Sequence, residues 1–595
     1  MRARMVIAVA ALLAGSAAGS SARWLGLDPA EAAALAALDP ARTAAAACRP
    51  APGAEPLLRQ RLRLAAALAP VQPGLEALPL YPDVPRSALD PAGLTPAARP
   101  WFDQGLLMAY NFNHAAAIAS FRRAQALAPD CALCFWGEAL AYGPNINAPM
   151  DVAQNPATLA ALARAQSLAA SAPPLDRALV DALARRYAVD PAADRAALDA
   201  AYADAMLGVA GKVPDNDEVA VLAAEAAMDT SPWNYWDAGR RTPNPRIAQA
   251  VSLVEGVLAR HPGHQQAAHL YVHLMENYAD PARAEKAADA LALSAMPQAG
   301  HLVHMPSHIY YRIGRYADSI RTNIAAARAD EAYLARVHDD GMYRYGYYPH
   351  NVHFIVASAQ QAGDLALAVR EADRLSRILS NDVARRFVWI QGIIAAPAFA
   401  YAQGASAAQI LALPRPAADM PYVTAMWHYA RAVARARQRD RAGFAVELGA
   451  MERLADDPAL APLAAQGLPA ADLIRLAAYV ARGRQAYAQG QFEAAADHYR
   501  AAMKIEATIP YQEPPYWYYP VGQSLGAALL RAGKPEEARD AFRQALLMAP
   551  DSGWALHGLA QAEAALGHRI EAKAAEAALE RAWRGDPRLL DLDRL

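Results

Sequence analysis

Five offsets shared by two distant stretches constrain this chain more than any other feature of its sequence. Counted from Ala98, Trp101, Gly105, Ala117, Phe121, Ala124 and Pro129 stand at positions 4, 8, 20, 24, 27 and 32. Counted from Tyr519, Gly526, Gly533, Ala538, Phe542, Ala545 and Pro550 stand at 8, 15, 20, 24, 27 and 32. A further unit follows from Gly553 with Leu559, Ala560, Gly567 and Ala572, then departs from the pattern at Glu576 and Leu579. A weaker one precedes both, carrying Gly483, Gly490, Ala495, Tyr499 and Ala502. Small residues at such spacings let two antiparallel helices touch, and the larger ones fill the seam to the next pair. One pair cannot bury its apolar face alone, so the pairs must stack.

That template is the tetratricopeptide repeat (TPR) of about 34 residues, and it predicts an all-α TPR solenoid. Composition agrees: the chain has 595 residues and is 55% hydrophobic with abundant Ala, while β-branched runs of period two are scarce. In the middle, Gly314-Arg-Tyr316 reads as the inter-helix turn of a unit starting at Gly300, and Gly363-Asp as that of a unit starting at Pro349. A unit from Gln265 places Ala284 and Ala288 at positions 20 and 24 but lacks the turn glycine. The expected organisation is a signal peptide (1–22), an Ala/Pro-rich leader packing on the first repeat (23–97), an N-terminal TPR-like region (98–264), central His-rich units (265–382), a helical region (383–475) and C-terminal TPR units (476–595).

The N-terminus supplies the signal. Met1-Arg-Ala-Arg, an apolar run from Met5 to Ala14 and the small residues Ser20-Ser21-Ala22 predict cleavage near Ala22 and a periplasmic or secreted protein. No later stretch approaches the roughly 18 apolar residues of a membrane span. Net charge is −2 with the two signs interspersed and no Lys/Arg block, which argues against nucleic acid as a partner. Of the three cysteines, Cys131 and Cys134 form C-x-x-C followed by Phe135, so covalent haem attachment is unsupported. A redox or metal role stands beside a simple disulfide or two small residues in a turn.

Eight of the fifteen histidines lie between His269 and His353. On the first helix of a TPR, positions 2, 5, 9 and 12 share a stripe, because steps of three and four residues return to one side of a helix. In a stacked array that stripe lines the concave groove. His269, His273 and Glu276 take positions 5, 9 and 12 of their unit, His301, His304 and His308 positions 2, 5 and 9, and His350 and His353 positions 2 and 5. Seven imidazoles and a carboxylate aimed at one groove suit a transition metal, with Cu, Fe and Zn undistinguished, and they exceed one tetrahedral shell. Either some orient the ligands or two ions share the groove. The competing expectation is that each histidine is a wall or core residue. Tyr310 and Asn351 adjoin the stripe as candidates for proton transfer, against ordinary packing. Trp233-Asn-Tyr-Trp236 and Tyr516-Trp-Tyr-Tyr519 read chiefly as interhelix packing, and Gly143-Pro-Asn-Ile-Asn147 as a rigid loop that could edge a site.

Three blocks, His269-Leu-Tyr-Val-His-Leu-Met-Glu276, Gly300-His-Leu-Val-His-Met-Pro-Ser-His-Ile309 and Tyr348-Pro-His-Asn-Val-His-Phe354, resemble the signature of a group of microbial TPR-repeat proteins. The likeness extends to Phe102-Asp-Gln-Gly-Leu106, Phe112-Asn-His114, Asp130-Cys-Ala132, Trp136-Gly137, Gly143–Asn147 and Pro515-Tyr-Trp-Tyr-Tyr-Pro520. It implies the repeat fold and marks the histidine-bearing positions as functional, without implying a particular reaction. Two functions follow as expectations: a metal-dependent enzyme, hydrolytic or oxidative, acting on a small molecule or peptide in the groove, and a scaffold gripping a peptide or protein partner. Periplasmic metal storage or delivery would use the same ligands without turnover.

Overall fold

The computed structural model describes residues 78–595 apart from 191, 338, 340 and 342. The signal peptide, Cys48, most of the leader and His338 therefore lie outside the described residues. Those described form α-helices joined by turns and short 3-10 segments, with no strand among them beyond two isolated bridges. Among them no helix is long and apolar enough to cross a membrane.

The spacing of glycine and aromatic residues explains why the helices pair as they do. Phe121, on the helix His114–Leu127, is fully buried between two helices, Arg99–Tyr110 and Ala132–Ala141. A Cβ on Gly105 would stand 2.7 Å from its ring, and one on Gly137 only 2.3 Å away. Phe542 repeats the arrangement between Gly526 and Gly558, at 2.7 and 2.1 Å. Each aromatic ring thus occupies the space that two missing side chains leave, one in its own pair and one in the next. The turn glycines follow the same economy: Gly314 and Gly363 have φ of 82° and 79°, a left-handed conformation that costs residues with a Cβ about 1–2 kcal/mol.

The central units are built from the pairs Gln265–Glu276 with Glu285–Ser294, Gly300–Arg312 with Tyr316–Leu334, and Tyr348–Ala362 with Leu365–Ile378. In the second unit Pro306 has no N–H to give to the ladder, which interrupts the first helix between Gly300–His304 and Pro306–Arg312. Met305 between them keeps helical angles, φ −53° and ψ −38°, and the stripe continues across the interruption. Residues 78–97 run along the first repeat, where Tyr81 donates its N–H to Gln104 at 2.8 Å and Ser87 to Asp103 at 3.1 Å.

Instead of leaving an open groove, the superhelix closes on its central units from both ends. From the first repeat, Asn111 Oδ1 accepts the N–H of Leu302 at 3.1 Å. It thereby caps a helix whose own N-cap, Ala299, offers no side-chain bond. From the C-terminal repeats, Trp554 Nε1 donates to Gln360 O at 2.7 Å and Arg584 N to Ala362 O at 2.8 Å. A Cβ on Gly363 would meet the Trp583 ring at 2.1 Å. Open repeat arrays join neighbours only; this one joins its first and last repeats to its middle.

Candidate metal centre

The helix Gln265–Glu276 supplies His269, His273 and Glu276 on successive turns. Two ring nitrogens are committed at once. His269 Nδ1 lies 2.9 Å from Gln266 Oε1, and His273 Nδ1 lies 3.1 Å from Glu276 Oε1. Acceptors at Nδ1 fix the proton there, so each Nε2 carries a lone pair. Both Nε2 atoms are buried without a hydrogen-bond partner, and so are both ring nitrogens of His301 from the neighbouring unit. One ligand atom from each of the three rings fits within 4.8 Å of the others.

The walls around this triad come from far along the chain. The Phe112 ring stands 4.8 Å from His269 and 5.1 Å from His301, Trp233 lies 5.0 Å from His273, and Tyr347 lies 4.7 Å from His301. Phe112 and Trp233 both hold positive φ, 53° and 63°, in a region that bulky residues seldom enter. Trp233 is held by the loop Gly143–Asn147, where its Nε1 donates to Ile146 O at 3.0 Å and Asn147 Oδ1 at 3.2 Å. The loop therefore sets a wall of the chamber. Tyr518, by contrast, stacks on Phe399 with centroids 4.9 Å apart, which is interhelix packing.

A second triad adjoins the first. His304 Nδ1 is 2.6 Å from Asn323 Oδ1, and the Asn323 amide is oriented by its own donation to Ser319 O at 2.7 Å. That leaves His304 Nε2 facing His308 Nε2 at 2.9 Å. His350 completes a set of three donors within 4.8 Å. Nδ1 of His308 meets two carboxylates, Glu276 Oε2 at 2.6 Å and Glu513 Oε2 at 2.8 Å. Glu276, His308 and Glu513 form a third group of adjoining donors.

Burial sets the charge states. It pushes the imidazolium forms of His273, His301 and His304 well out of reach, and that of His269 down to about 3, with repulsion from neighbouring histidines adding to it. His308 goes the other way. Burial opposes its charge, but Glu276 and Glu513 outweigh burial and raise it to about 10. Neutral rings with directed lone pairs, as at His269, His273 and His301, are what a metal needs; at His308 an ion would have to replace the proton on Nε2.

Several expectations are corrected here. The histidines do not line an open groove: His269, His273, Glu276, His301, His304 and His308 are each at most 5% exposed, because the first repeat and the segment around Glu513 close over them. His353 is not among the clustered donors. Four residues on from His350 the stripe is occupied by Phe354, whose ring lies 5.0 Å from both His304 and His350. Tyr310 turns its hydroxyl outward to Asp289 at 2.8 Å, under the Arg315 guanidinium, and Asn351 donates to the buried Asp330 at 2.7 Å. Neither bonds a clustered imidazole. Of the readings the sequence left open for Cys131 and Cys134, the structure shows the simple disulfide. Glu513 was not foreseen. Its only local signal is the Glu513-Pro-Pro segment just before the aromatic block at Tyr516.

The tetratricopeptide-repeat family model matches residues 521–562. No curated protein matches the chain. Among solved structures, human IFIT1, as a dimer with PPP-AAAA, is 13% identical, with 81% of this chain and 96% of that one covered and a TM-score of 0.30. Yeast Tom70 is 13% identical, with 83% and 98% covered and a TM-score of 0.23. The TPR domain of P58(IPK) is 14% identical, with 83% and 98% covered and a TM-score of 0.21. The matched repeat coincides with the pair Gly522–Arg531 and Pro535–Met548 and the helix Gly553–Ala565 that follows it. The offsets, the helix pairs and the family match agree, and the chain folds as an all-α solenoid of tetratricopeptide-type helix pairs.

Proposed function

We propose that the interior of this solenoid holds a transition-metal ion on His269, His273 and His301 and that the protein is a metal-dependent enzyme acting on a small molecule. The observation that carries the reading is the set of four buried ring nitrogens, on those three residues, that have no partner. Each such group left unsatisfied costs about 1–3 kcal/mol. A metal would satisfy three of the four at once. Three neutral imidazoles leave a fourth tetrahedral position for water or substrate, the pattern of catalytic rather than structural sites, and Cu, Fe and Zn all accept such ligands. Glu276 and Glu513 stand close by to take up protons. The enclosure of the chamber favours a small molecule over a long peptide.

A second reading, a protein-binding scaffold, draws support from the solenoid itself, whose outer surfaces can serve a partner even where its groove is filled. Export through the N-terminal signal, with action in the periplasm or outside the cell, completes the proposal. The test is elemental analysis of full-length protein purified without a histidine tag. We expect a stoichiometric transition metal in the wild type, lost in His273→Ala and His301→Ala with helicity retained. Wild-type protein that holds no metal after incubation with Cu, Fe(II) and Zn salts would leave the scaffold as the surviving reading.

A further inference from the structure

We infer that His304, His308 and His350 form a second metal site beside the first and that Glu276 couples the two. This rests on the metal reading above, and the experiment below separates the failure of either.

The geometry carries it in three steps. First, the second triad has orienting partners that the first does not use, Asn323 and Glu513. Asn323, fixed by Ser319, holds His304 through Nδ1, and Glu276 and Glu513 hold His308 through Nδ1. Both Nε2 atoms are thereby aimed at one spot, 2.9 Å apart, with a donor of His350 within 4.8 Å of each. An ion bonded at about 2.0–2.1 Å in tetrahedral geometry would hold its nitrogens roughly 3.3 Å apart, so small side-chain movements suffice.

Second, the buried carboxylates hold positive charge at His308. Glu276 and Glu513 are both buried, and the groups that offset them are His308, whose Nδ1 meets both, and Arg312, whose Nε is 3.7 Å from Glu513 Oε1. A divalent ion on Nε2 of His308 would supply positive charge at the same ring in place of its second proton.

Third, Glu276 is shared. Its Oε1 faces Nδ1 of His273 in the first triad and its Oε2 faces Nδ1 of His308 in the second. Carboxylates so placed orient metal-binding imidazoles and raise their basicity, and losing one typically costs 10–100-fold in affinity. The triads adjoin, with His301 and His304 at 6.1 Å between ring centroids and His273 and His308 also at 6.1 Å.

The test is a titration of metal-free, tag-free, full-length protein with cobalt(II) chloride, followed by the ligand-field absorption of the bound ion and by elemental analysis after desalting. We expect two equivalents in the wild type, one in His350→Ala and in His304→Gln, and one in His301→Ala. Glu276→Gln should weaken both sites by at least tenfold. A single equivalent in the wild type, abolished by His301→Ala and untouched by His350→Ala and His304→Gln, overturns the second site and leaves the first. No bound cobalt at all overturns both. If His350→Ala fails to fold by circular dichroism, His304→Gln decides, because the amide keeps a polar group on Asn323.

Discussion

His269 and His308 sit in one chamber and respond to pH in opposite ways. For His269, and likewise for His273, His301 and His304, burial keeps the native ring neutral far below the ordinary value of 6.5. Below that value the unfolded chain takes up protons that the native state refuses. The stability these rings contribute is therefore present above about pH 6.5 and is lost as pH falls toward 3. The urea midpoint of metal-free protein should drop steeply between pH 6.5 and 4, and a flat profile across that window would contradict the neutral assignment. His308 runs the other way: raised to about 10 by its two carboxylates, it contributes stability that is complete below 6.5 and lost as pH rises through 10. Glu513→Gln removes one of those carboxylates, so the His308 ring resonance in an NMR titration of metal-free protein should move to a lower titration pH. Retention of the wild-type value would show that Glu276 alone sets it.

At the scale of helices, the spacing that identifies the repeat also measures its tolerance. Gly137→Ala would place a methyl 2.3 Å from the buried Phe121 ring, and overpacking of this kind costs about 1–3 kcal/mol. Gly208, within the helix Arg195–Lys212, has nothing within 4 Å of a Cβ. Gly208→Ala should raise stability by about 0.5–1 kcal/mol through helix propensity alone. Urea unfolding of the two variants should shift in opposite directions, and a shared sign would undo this account of the glycines. The same contrast explains what could be read in advance. The stripes of His269, His273, His301, His304 and His308 were legible because a step of three or four residues is a local property of a helix, and Pro306 did not disturb it. His353 was misread because the stripe position is taken by Phe354. Glu513 and Phe112 carried no local pattern: they reach His308 and His269 across 205 and 157 residues of chain, through a closure that no spacing rule encodes. The burial of the histidines, and hence their charge states, was hidden for the same reason.

For the whole molecule the closure changes how the repeats share stability. In an open array each repeat leans on its neighbours only, and unfolding can begin at either end. Here Asn111 meets Leu302, Gln361 Nε2 donates to Tyr518 O at 3.0 Å and Trp554 bonds Gln360, so terminal and central repeats are joined directly. Far-UV circular dichroism and tryptophan fluorescence should accordingly trace one coincident urea transition in the wild type. Trp583→Ala deletes a ring packed on Gly363 and set 4.8 Å from Trp554. The loss of such a buried aromatic costs about 3–5 kcal/mol, and the two probes should then separate as the C-terminal repeats come away first. Coincident transitions in that variant would mean that the closure rests on its other contacts.

The clasp of Trp583 on Gly363 also sets a clock. An ion held as proposed on His269, His273 and His301, each at most 2% exposed, would leave only when the repeats part. Its residence time would then be the lifetime of the closed ring, and extraction by EDTA should proceed at a rate that stops rising with EDTA concentration. In Trp583→Ala that plateau should be reached at a faster rate, while a wild-type rate that climbs in proportion to EDTA would mean the ion lies open to solvent.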